Sequence, residues 1–569
     1  MRDKREFFNM LDDIDGKDVS EYGRLVGDFD FSRFVLKITQ IPAESTRRPA
    51  LFIVRVPQII AGFPPHLFDM PVRRTALEDL LTRKVADQIE LVAQYDQSGV
   101  SQRHLSIAVP GQKILPRTSL LVTDEYVEAR MYIQLPHRDN RINGQQVKDI
   151  FFDHLAQIVT GSLIYCNLNQ QEVEEFVNGM EDADQIRQVL PTRGWVGFAA
   201  EGSLLSRYGN TDYPDYDQVD TLRVADDIAA EVEVPNAGTV KGVGIPSGIT
   251  LILGDDYSGR IQLIRALAAG IYNHVPGDGR ERVISVPDIV HVAAEPGRSV
   301  QKVNMSAFVR KHQRADVSEF STEEADPCSS QVAATLEAIE VGARALLFDE
   351  SDSAASFLSR DSRLDALLPQ RGANVVPLAA RARRLADELG VSIVVAGTAS
   401  VAEFIPIADT ILRVDNHTVY DLTNEAKSID AGQLAGSDSA DSDVVYEQNR
   451  WIVPSSIEPS KGTRDQFIEA ESIDLLRFGN SVVGLQDVTQ LADRHQTSTI
   501  GLILYYAKLR YMDEGRPMRE IMDLIDRDLG TEGLECLSRD LRGDLARPRR
   551  YEIAAALNRL PSLRISHIE

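Results

Sequence analysis

Two short stretches of this chain carry residues that could do chemistry. The first is Gly254-Asp255-Asp256-Tyr257-Ser258-Gly259-Arg260-Ile261, followed by Gln262. Its glycines have the spacing of a phosphate-binding loop, G-x-x-x-x-G-K-[ST], whose backbone N–H groups cradle phosphates while a lysine reaches them and a hydroxyl binds Mg²⁺. The second is the pair Asp349-Glu350 at the end of the run ARALLFDES, 343–351. In phosphate-loop ATPases such an Asp stands near Mg²⁺ and the following Glu polarises the attacking water. Together they describe ATP chemistry. Gly254, Tyr257, Ser258, Gly259, Arg260, Ile261 and Gln262 would hold the nucleotide, Asp349 the metal, and Glu350 would act as general base or as its vestige.

The flanking elements are the ones this chemistry needs. GITLILG before the loop reads as a buried strand, and Ile261, Leu263, Ile264, Leu267, Ala268 and Ile271 recur on one helical face after it. Strand, glycine loop and helix together aim N–H groups and a helix N-terminus at an anion. SSQVAATLEAIEVG, 329–342, predicts a helix leading into the acidic strand, PLAARARRLADELG, 377–390, a helix stopped by Gly390, and VSIVVAG, 391–397, a further buried strand. Residues 246–427 thus alternate strand and helix, the rhythm of a mostly parallel α/β sheet. The acid and the loop are expected at the carboxyl ends of two neighbouring strands.

Around this core, residues 1–165 mix strands (ALFIVRVP, 50–57; ARMYIQLP, 129–136) with a helix over 144–165, and a second helix is expected over about 169–189. SIDAGQLAGSDSADSDV, 428–444, reads as an acidic linker, and 464–569 reads as mostly helical. The expected division is an N-terminal α/β domain over 1–165, a phosphate-loop domain over 166–445 and a mainly helical domain over 446–569. The 569 residues carry a net charge of −25, which repels nucleic acid unless a surface is locally basic. The candidate stretches are RRTALEDLLTRK (73–84) and RDLRGDLARPRR (539–550), the second diluted by Asp540 and Asp544, so that a solvated, salt-bridged helix face is its better reading. The three cysteines, Cys166, Cys328 and Cys536, make no metal-ligand spacing and read as reduced thiols. The amino terminus lacks an apolar signal core and no run is long enough to span a bilayer, so a cytoplasmic location without membrane contact is expected. His274 reads as a brace for the loop after the first helix.

Longer strings carry a resemblance. AVPGQKILPRTS (108–119), IYNHVPGDGRE (271–281), EPGRSV (295–300), EFSTEEADPCSSQ (319–331), LLFDESDSAASFLSRD (346–361) and LARPRRYEIAAALNRL (545–560) resemble, in order, the blocks of the predicted ATPases of the ABC class, proteins without transporter domains. The resemblance implies a central ABC-type domain and a two-fold homodimer. ATP and Mg²⁺ would lie between one subunit's phosphate loop and the other's signature loop, here Ser329, Ser330 and Gln331. It also implies RNA as a possible partner, and leaves room for pairing with a paralogous ATPase subunit.

The departures point to a degenerate site. Relatives resemble G-G-G-Y-H-G-K-S-T in the loop, whereas this chain has Asp255 and Asp256 for glycines, Ser258 for histidine, Arg260 for lysine, Ile261 for serine and Gln262 for threonine. Ile261 has no oxygen for Mg²⁺, and the planar fork of Arg260 does not sit where an ammonium does. A carboxylate about 5 Å from a phosphate oxygen costs roughly 3 kcal/mol at an effective dielectric near 20. The signature loop resembles A-S-G-S-T-S-Q in relatives but is Ala325-Asp326-Pro327-Cys328-Ser329-Ser330-Gln331 here, and Pro327 and Cys328 are expected to distort it. The expectation is an ABC-type fold that binds ATP and Mg²⁺ weakly or not at all, with Arg260 folded back onto Asp255, Asp256 or Asp349. The alternative is a working ATPase that tolerates an unusual loop.

Overall fold

The computed structural model describes all residues except 43–47, 96–103, 210, 218–219, 311–315, 360–374, 431–445, 447, 449, 514 and 567–569. Most of the expected acidic linker at 428–444 lies outside the described residues; its first three residues end a helix, Thr423–Asp430. The chain forms two compact units, Met1–Glu181 with Leu534–Arg547, and Asp182–Gly533 with Pro548–Glu569.

The first unit is built on a seven-stranded sheet in which Ala50–Pro57 and Tyr126–Ile133 pair antiparallel along their whole length. Both strands are buried at nearly every position, because helix Pro71–Tyr95 and the helical stretch Gly144–Ser162 accompany the sheet. That stretch is interrupted by a π-helical turn at Asp149–His154. Phe7, Phe29, Phe52 and Phe151 meet in edge and tilted ring contacts within this core. The segment Leu534–Arg547 belongs here through Leu545, whose N–H donates to the Thr118 hydroxyl at 3.1 Å, and Arg130, which donates to the Arg542 carbonyl at 3.1 Å.

The second unit carries the candidate site. Its main sheet runs in the order Arg223–Val224, Thr418–Asp421, Thr410–Asp415, Ile249–Leu253, Ser392–Gly397, Ala345–Asp349, Ile289–His291. All its pairings are parallel except the hairpin between Thr410–Asp415 and Thr418–Asp421. ITLIL, ALLFD and SIVVAG are continuous apolar runs because a parallel sheet is covered on both faces. Here the covering helices include Arg260–Ala269, Pro327–Glu340 and Leu378–Leu389. Gly390 ends the last of these at φ 65°, a left-handed turn that glycine adopts without strain. A second, antiparallel sheet contains Trp195–Ala200, Gly238–Pro246, Ala230–Val234 and Val283–Ser285, and packs Phe198, Val232 and Ile284 against Ile186 and Leu190.

The register places the loop and the acid at the same end of the sheet: Leu253 lies opposite Gly397, and Asp349 opposite Ala396. The two strands are not neighbours as expected, since Ser392–Gly397 lies between them. A strand sequence records burial but not which strand fills the space beside it. The region after residue 446 contains helices Arg494–Arg510, Met518–Thr531 and Arg550–Asn558, and also an antiparallel sheet of Ile468–Ser472, Leu475–Phe478 and Ser481–Gly484.

Arg450 ties this last region to the rest of the unit. Its side chain is 1% exposed and meets Glu340 of helix Pro327–Glu340, Asn558 at 2.9 Å and the Gln301 carbonyl at 3.2 Å. Arg450→Met would leave Glu340 buried without a cation, and removing one partner of a buried pair costs about 3–5 kcal/mol. Both tryptophans, Trp195 and Trp451, lie in this unit. Urea unfolding followed by tryptophan fluorescence is therefore expected to show a loss of that size in Arg450→Met.

Candidate functional site: a phosphate loop closed by its own side chains

The loop leaves strand Ile249–Leu253 and enters helix Arg260–Ala269 through Gly259. Gly259 has φ +98°, and an added Cβ would stand 2.7 Å from the His417 ring, so both backbone and space require glycine. At Gly254 an added Cβ would meet the Val414 carbonyl at 2.6 Å. The loop is tightly wound. Ser258 donates its N–H and its hydroxyl to the Asp255 carbonyl at 3.0 and 2.7 Å, and His417 donates its N–H to the Ser258 carbonyl at 2.8 Å.

The helix starts without a side-chain cap, and its first residue is Arg260. A cation in the first turn opposes the helix dipole, so its charge must be met elsewhere. Arg260 folds back over the loop. Its Nε donates to the Gly254 carbonyl at 2.8 Å, one terminal nitrogen to Asp349 Oδ1 at 3.0 Å, and the other stands 3.5 Å from Asp256. The Arg260 side chain is 2% exposed and that of Asp349 1% exposed. Of the three carboxylates expected as acceptors, Asp349 and Asp256 are used. Asp255 and Asp256 face solvent rather than the interior of the loop, and the buried negative charge is that of Asp349.

The other loop residues differ in burial. Ser258 is buried, Tyr257 is 95% exposed, and Ile261 and Gln262 are half-buried. Among the described residues, the buried oxygens at this end of the sheet that have no hydrogen-bond partner include Asp349 Oδ2 and Gln262 Oε1. Glu350 turns away from Asp349. Its carboxylate accepts from the Thr398 N–H, and from the Thr398 hydroxyl at 3.0 Å. Burial raises the Glu350 acid, but Ser400, the Thr398 donors and the Arg260 charge outweigh it and hold it below its ordinary value of 4.5. Asp352 moves the other way: burial and the nearby Asp349 raise it, against the pull of His291.

The signature loop is regular rather than distorted. Pro327 takes the first position of helix Pro327–Glu340, where its missing N–H costs nothing, and Asp326 caps the helix. The Asp326 carboxylate accepts the N–H of Cys328 at 3.0 Å, that of Ser329 at 3.1 Å, and the Ser329 hydroxyl. Ser330 and Gln331 are fully buried. Ser330 accepts from the Glu295 N–H at 2.9 Å, while Gln331 holds the Val292 carbonyl and the Ala354 N–H. Burial pushes the Cys328 thiol up to about 11, so it stays protonated at neutral pH.

Asp326, Thr398 and His417 are site residues that motif spacing alone does not single out. Asp before Pro at a helix start is, however, the usual cap-and-first-turn pair and is the available signal for Asp326. His274 Nδ1 donates to the Asp278 carboxylate at 3.0 Å, both buried, as a brace should. The two basic stretches are engaged internally. Arg73 pairs with Glu181, Arg83 with Asp79 and Lys84 with Glu172; Arg542 pairs with Asp544, Arg549 with Glu552 and Arg550 with Asp523.

Models of three families match in turn: an ATPase of the ABC class N-terminal domain over residues 4–166, the ABC-ATPase P-loop domain over 169–450, and an MRB1590 C-terminal domain over 468–566. The chain belongs to the ABC-class ATPases. Membership implies a nucleotide, typically with Mg²⁺, as the ligand of the phosphate loop. No curated protein matches the chain. Among solved structures, that of a bacterial Atm1-family ABC exporter with ATP bound is similar at 14% identity, over 52% of this chain and 53% of that one, with a TM-score of 0.20. The chain thus spans about half the length of that exporter chain. Among the described residues no helix is long and apolar enough to cross a membrane.

Arg260→Met would strand the buried Asp349 carboxylate, at a cost of about 3–5 kcal/mol, whereas replacing both members of a buried pair is often close to neutral. Urea unfolding of Arg260→Met, Asp349→Leu and the double variant is expected to show a large loss in the first and recovery of most of it in the double. The sign of the Glu350 shift gives a pH dependence as well. Its stabilising contribution is present above its ordinary value of 4.5 and is lost as pH falls through the lowered one. Glu350→Gln is therefore expected to unfold with a weaker acid dependence below that value.

Proposed function

We propose that this chain is an ABC-class pseudo-ATPase: a scaffold that binds Mg-ATP weakly or not at all and does not depend on hydrolysis. The observation that carries this reading is that both anion-binding loops already hold a group from the chain itself. At the phosphate loop the cation that would attract phosphates is shared between Asp349 and Asp256. At the signature helix the N–H groups of Cys328 and Ser329 are taken by Asp326.

The residues present do not fit the Mg²⁺ ion that the family implies. Ile261 brings no oxygen, and the Asp349 carboxylate already has a guanidinium at 3.0 Å. Glu350 is held by Thr398 with its basicity reduced, which suits a structural carboxylate better than a base that must take a proton near neutral pH.

Such a scaffold acts through what it binds. The family resemblance makes a second copy of this chain, a paralogous ATPase subunit and RNA the partners to test, in the cytoplasm. Arg83, Lys84, Arg542, Arg549 and Arg550 are held in ion pairs, which argues against either arginine-rich run as an open phosphate-binding face.

Calorimetry with Mg-ATP beside a steady-state hydrolysis assay tests the reading. The expected result is no saturable binding at about 1 mM, equivalent to a free energy near −4 kcal/mol, and no turnover. The combined variant Asp255→Gly, Asp256→Gly, Arg260→Lys, Ile261→Ser is expected to bind Mg-ATP at least about tenfold more tightly, still without turnover while Asp326 caps the signature helix. A parent turnover of about 1 per second that disappears in Glu350→Gln would instead establish the working ATPase.

A further inference from the structure

Three tyrosines stand out from the surface of the second unit within one loop. Tyr208, Tyr213 and Tyr216 are 66, 61 and 68% exposed. Among the described residues Tyr257 is the other tyrosine so exposed, so these three form a cluster rather than the scatter of single apolar side chains that any surface carries. The loop that presents them is tied down by its own backbone. Leu204 bridges Thr221 at its base, and the Leu222 N–H donates to the Ser203 carbonyl at 2.9 Å. Further out, Arg207 bridges Pro214, the Tyr208 N–H donates to the Tyr213 carbonyl at 3.0 Å and the Asp215 N–H to the Ser206 carbonyl at 3.2 Å. Beneath it, Arg280 Nε donates to the Leu205 carbonyl at 3.1 Å. The Tyr216 hydroxyl donates to the Gly277 carbonyl at 2.6 Å, which fixes that ring while its faces stay open. Rings held out in this way offer a large contact area at little cost in conformational entropy.

Carboxylates lie among the rings. Asp212, Asp215 and Asp217 alternate with Tyr213 and Tyr216 along the chain. Asp215 and Asp217 make no ion pair among the described residues. Arg207, the one basic residue between 206 and 217, is turned inward and pairs with the buried Asp278. A partner therefore meets a face that is aromatic and negative.

That combination selects the partner by its chemistry. Ring faces attract cations, and a carboxylate takes a guanidinium through two parallel hydrogen bonds. Guanidinium is the side-chain cation that both stacks on aromatic rings and forks onto carboxylates. Nucleic-acid bases also stack on aromatic platforms, but those platforms lie in positive grooves, and here the phosphates would meet aspartates. An anionic membrane surface is repelled in the same way. We propose that Tyr208, Tyr213 and Tyr216, with Asp215 and Asp217, dock an arginine-rich segment of a partner protein, its guanidinium groups stacking on the rings and pairing with the two carboxylates. The surface lies outside the phosphate loop and the signature helix, so the inference stands whether or not the protein hydrolyses ATP.

Fluorescence anisotropy of a labelled peptide of alternating arginine and glycine, titrated with the full chain at about 150 mM salt, tests it. A lysine–glycine peptide of the same length and an oligouridylate RNA are titrated beside it. The expected result is saturable binding of the arginine peptide tighter than about 100 μM, weaker binding of the lysine peptide and none of the RNA. A net charge of −25 would by itself attract any cation, so the decisive variants leave the charge unchanged. Tyr208→Ala combined with Tyr213→Ala should weaken the arginine peptide at least about tenfold. Tyr208→Phe combined with Tyr213→Phe keeps both rings and should bind as the parent does. The proposal is overturned if the arginine peptide shows no saturable binding up to about 1 mM, or if the lysine peptide binds equally well. It also fails if the alanine pair, folded by circular dichroism, binds as the parent does, if the phenylalanine pair loses as much as the alanine pair, or if the RNA binds and the alanine pair abolishes that binding.

Discussion

A guanidinium that is 2% exposed has to be met by carboxylate, and Arg260 is met by Asp349 at 3.0 Å. That pair organises this end of the sheet. It joins the first turn of helix Arg260–Ala269 to the end of strand Ala345–Asp349, across the intervening strand Ser392–Gly397. It draws the Arg260 Nε down onto the Gly254 carbonyl, so the side chain lies over the loop instead of reaching out of it. It also places a positive charge near Glu350, which adds to the Thr398 donors in holding that carboxylate ionised. An ion pair of this kind is weak grounds for stability, since desolvation offsets much of the attraction. It is strong grounds for closure, because opening the loop to an anion would require the pair to separate inside a buried setting.

The signature helix repeats the arrangement with the charges reversed. Helix N-termini attract anions, and an aspartate at the cap satisfies that attraction from within the chain. Asp326 receives the Cys328 and Ser329 N–H groups and the Ser329 hydroxyl, while Ser330 and Gln331 serve the packing around Glu295, Val292 and Ala354. One loop has its cation neutralised and the other has its anion supplied. On the proposed reading, both changes act against a composite nucleotide site while the ABC-type framework stands.

Much of the framework is legible in the sequence. The apolar runs ITLIL, ALLFD and SIVVAG and the Gly390 stop fall where periodicity and turn chemistry place them. Three things are not legible there. Strand order depends on long-range packing, so the strand between Ile249–Leu253 and Ala345–Asp349 cannot be read from either one. Pro327 reads as a disruption, yet at the first helical position it is an ordinary start once Asp326 is recognised as its cap. The acids of the loop read as the obstacle to phosphate, yet Asp255 and Asp256 face solvent and the buried carboxylate is Asp349. Which acid an arginine selects is decided by burial, and burial is a property of the folded chain.

A crystal structure of the protein grown with excess Mg-ATP tests the central claim most directly. The account predicts Arg260 still on Asp349, Asp326 still on the Cys328 and Ser329 N–H groups, and no phosphate within the loop. Phosphates cradled between Gly254 and Gly259, with Arg260 swung away from Asp349 to meet them and a metal ion on the freed carboxylate, would contradict it.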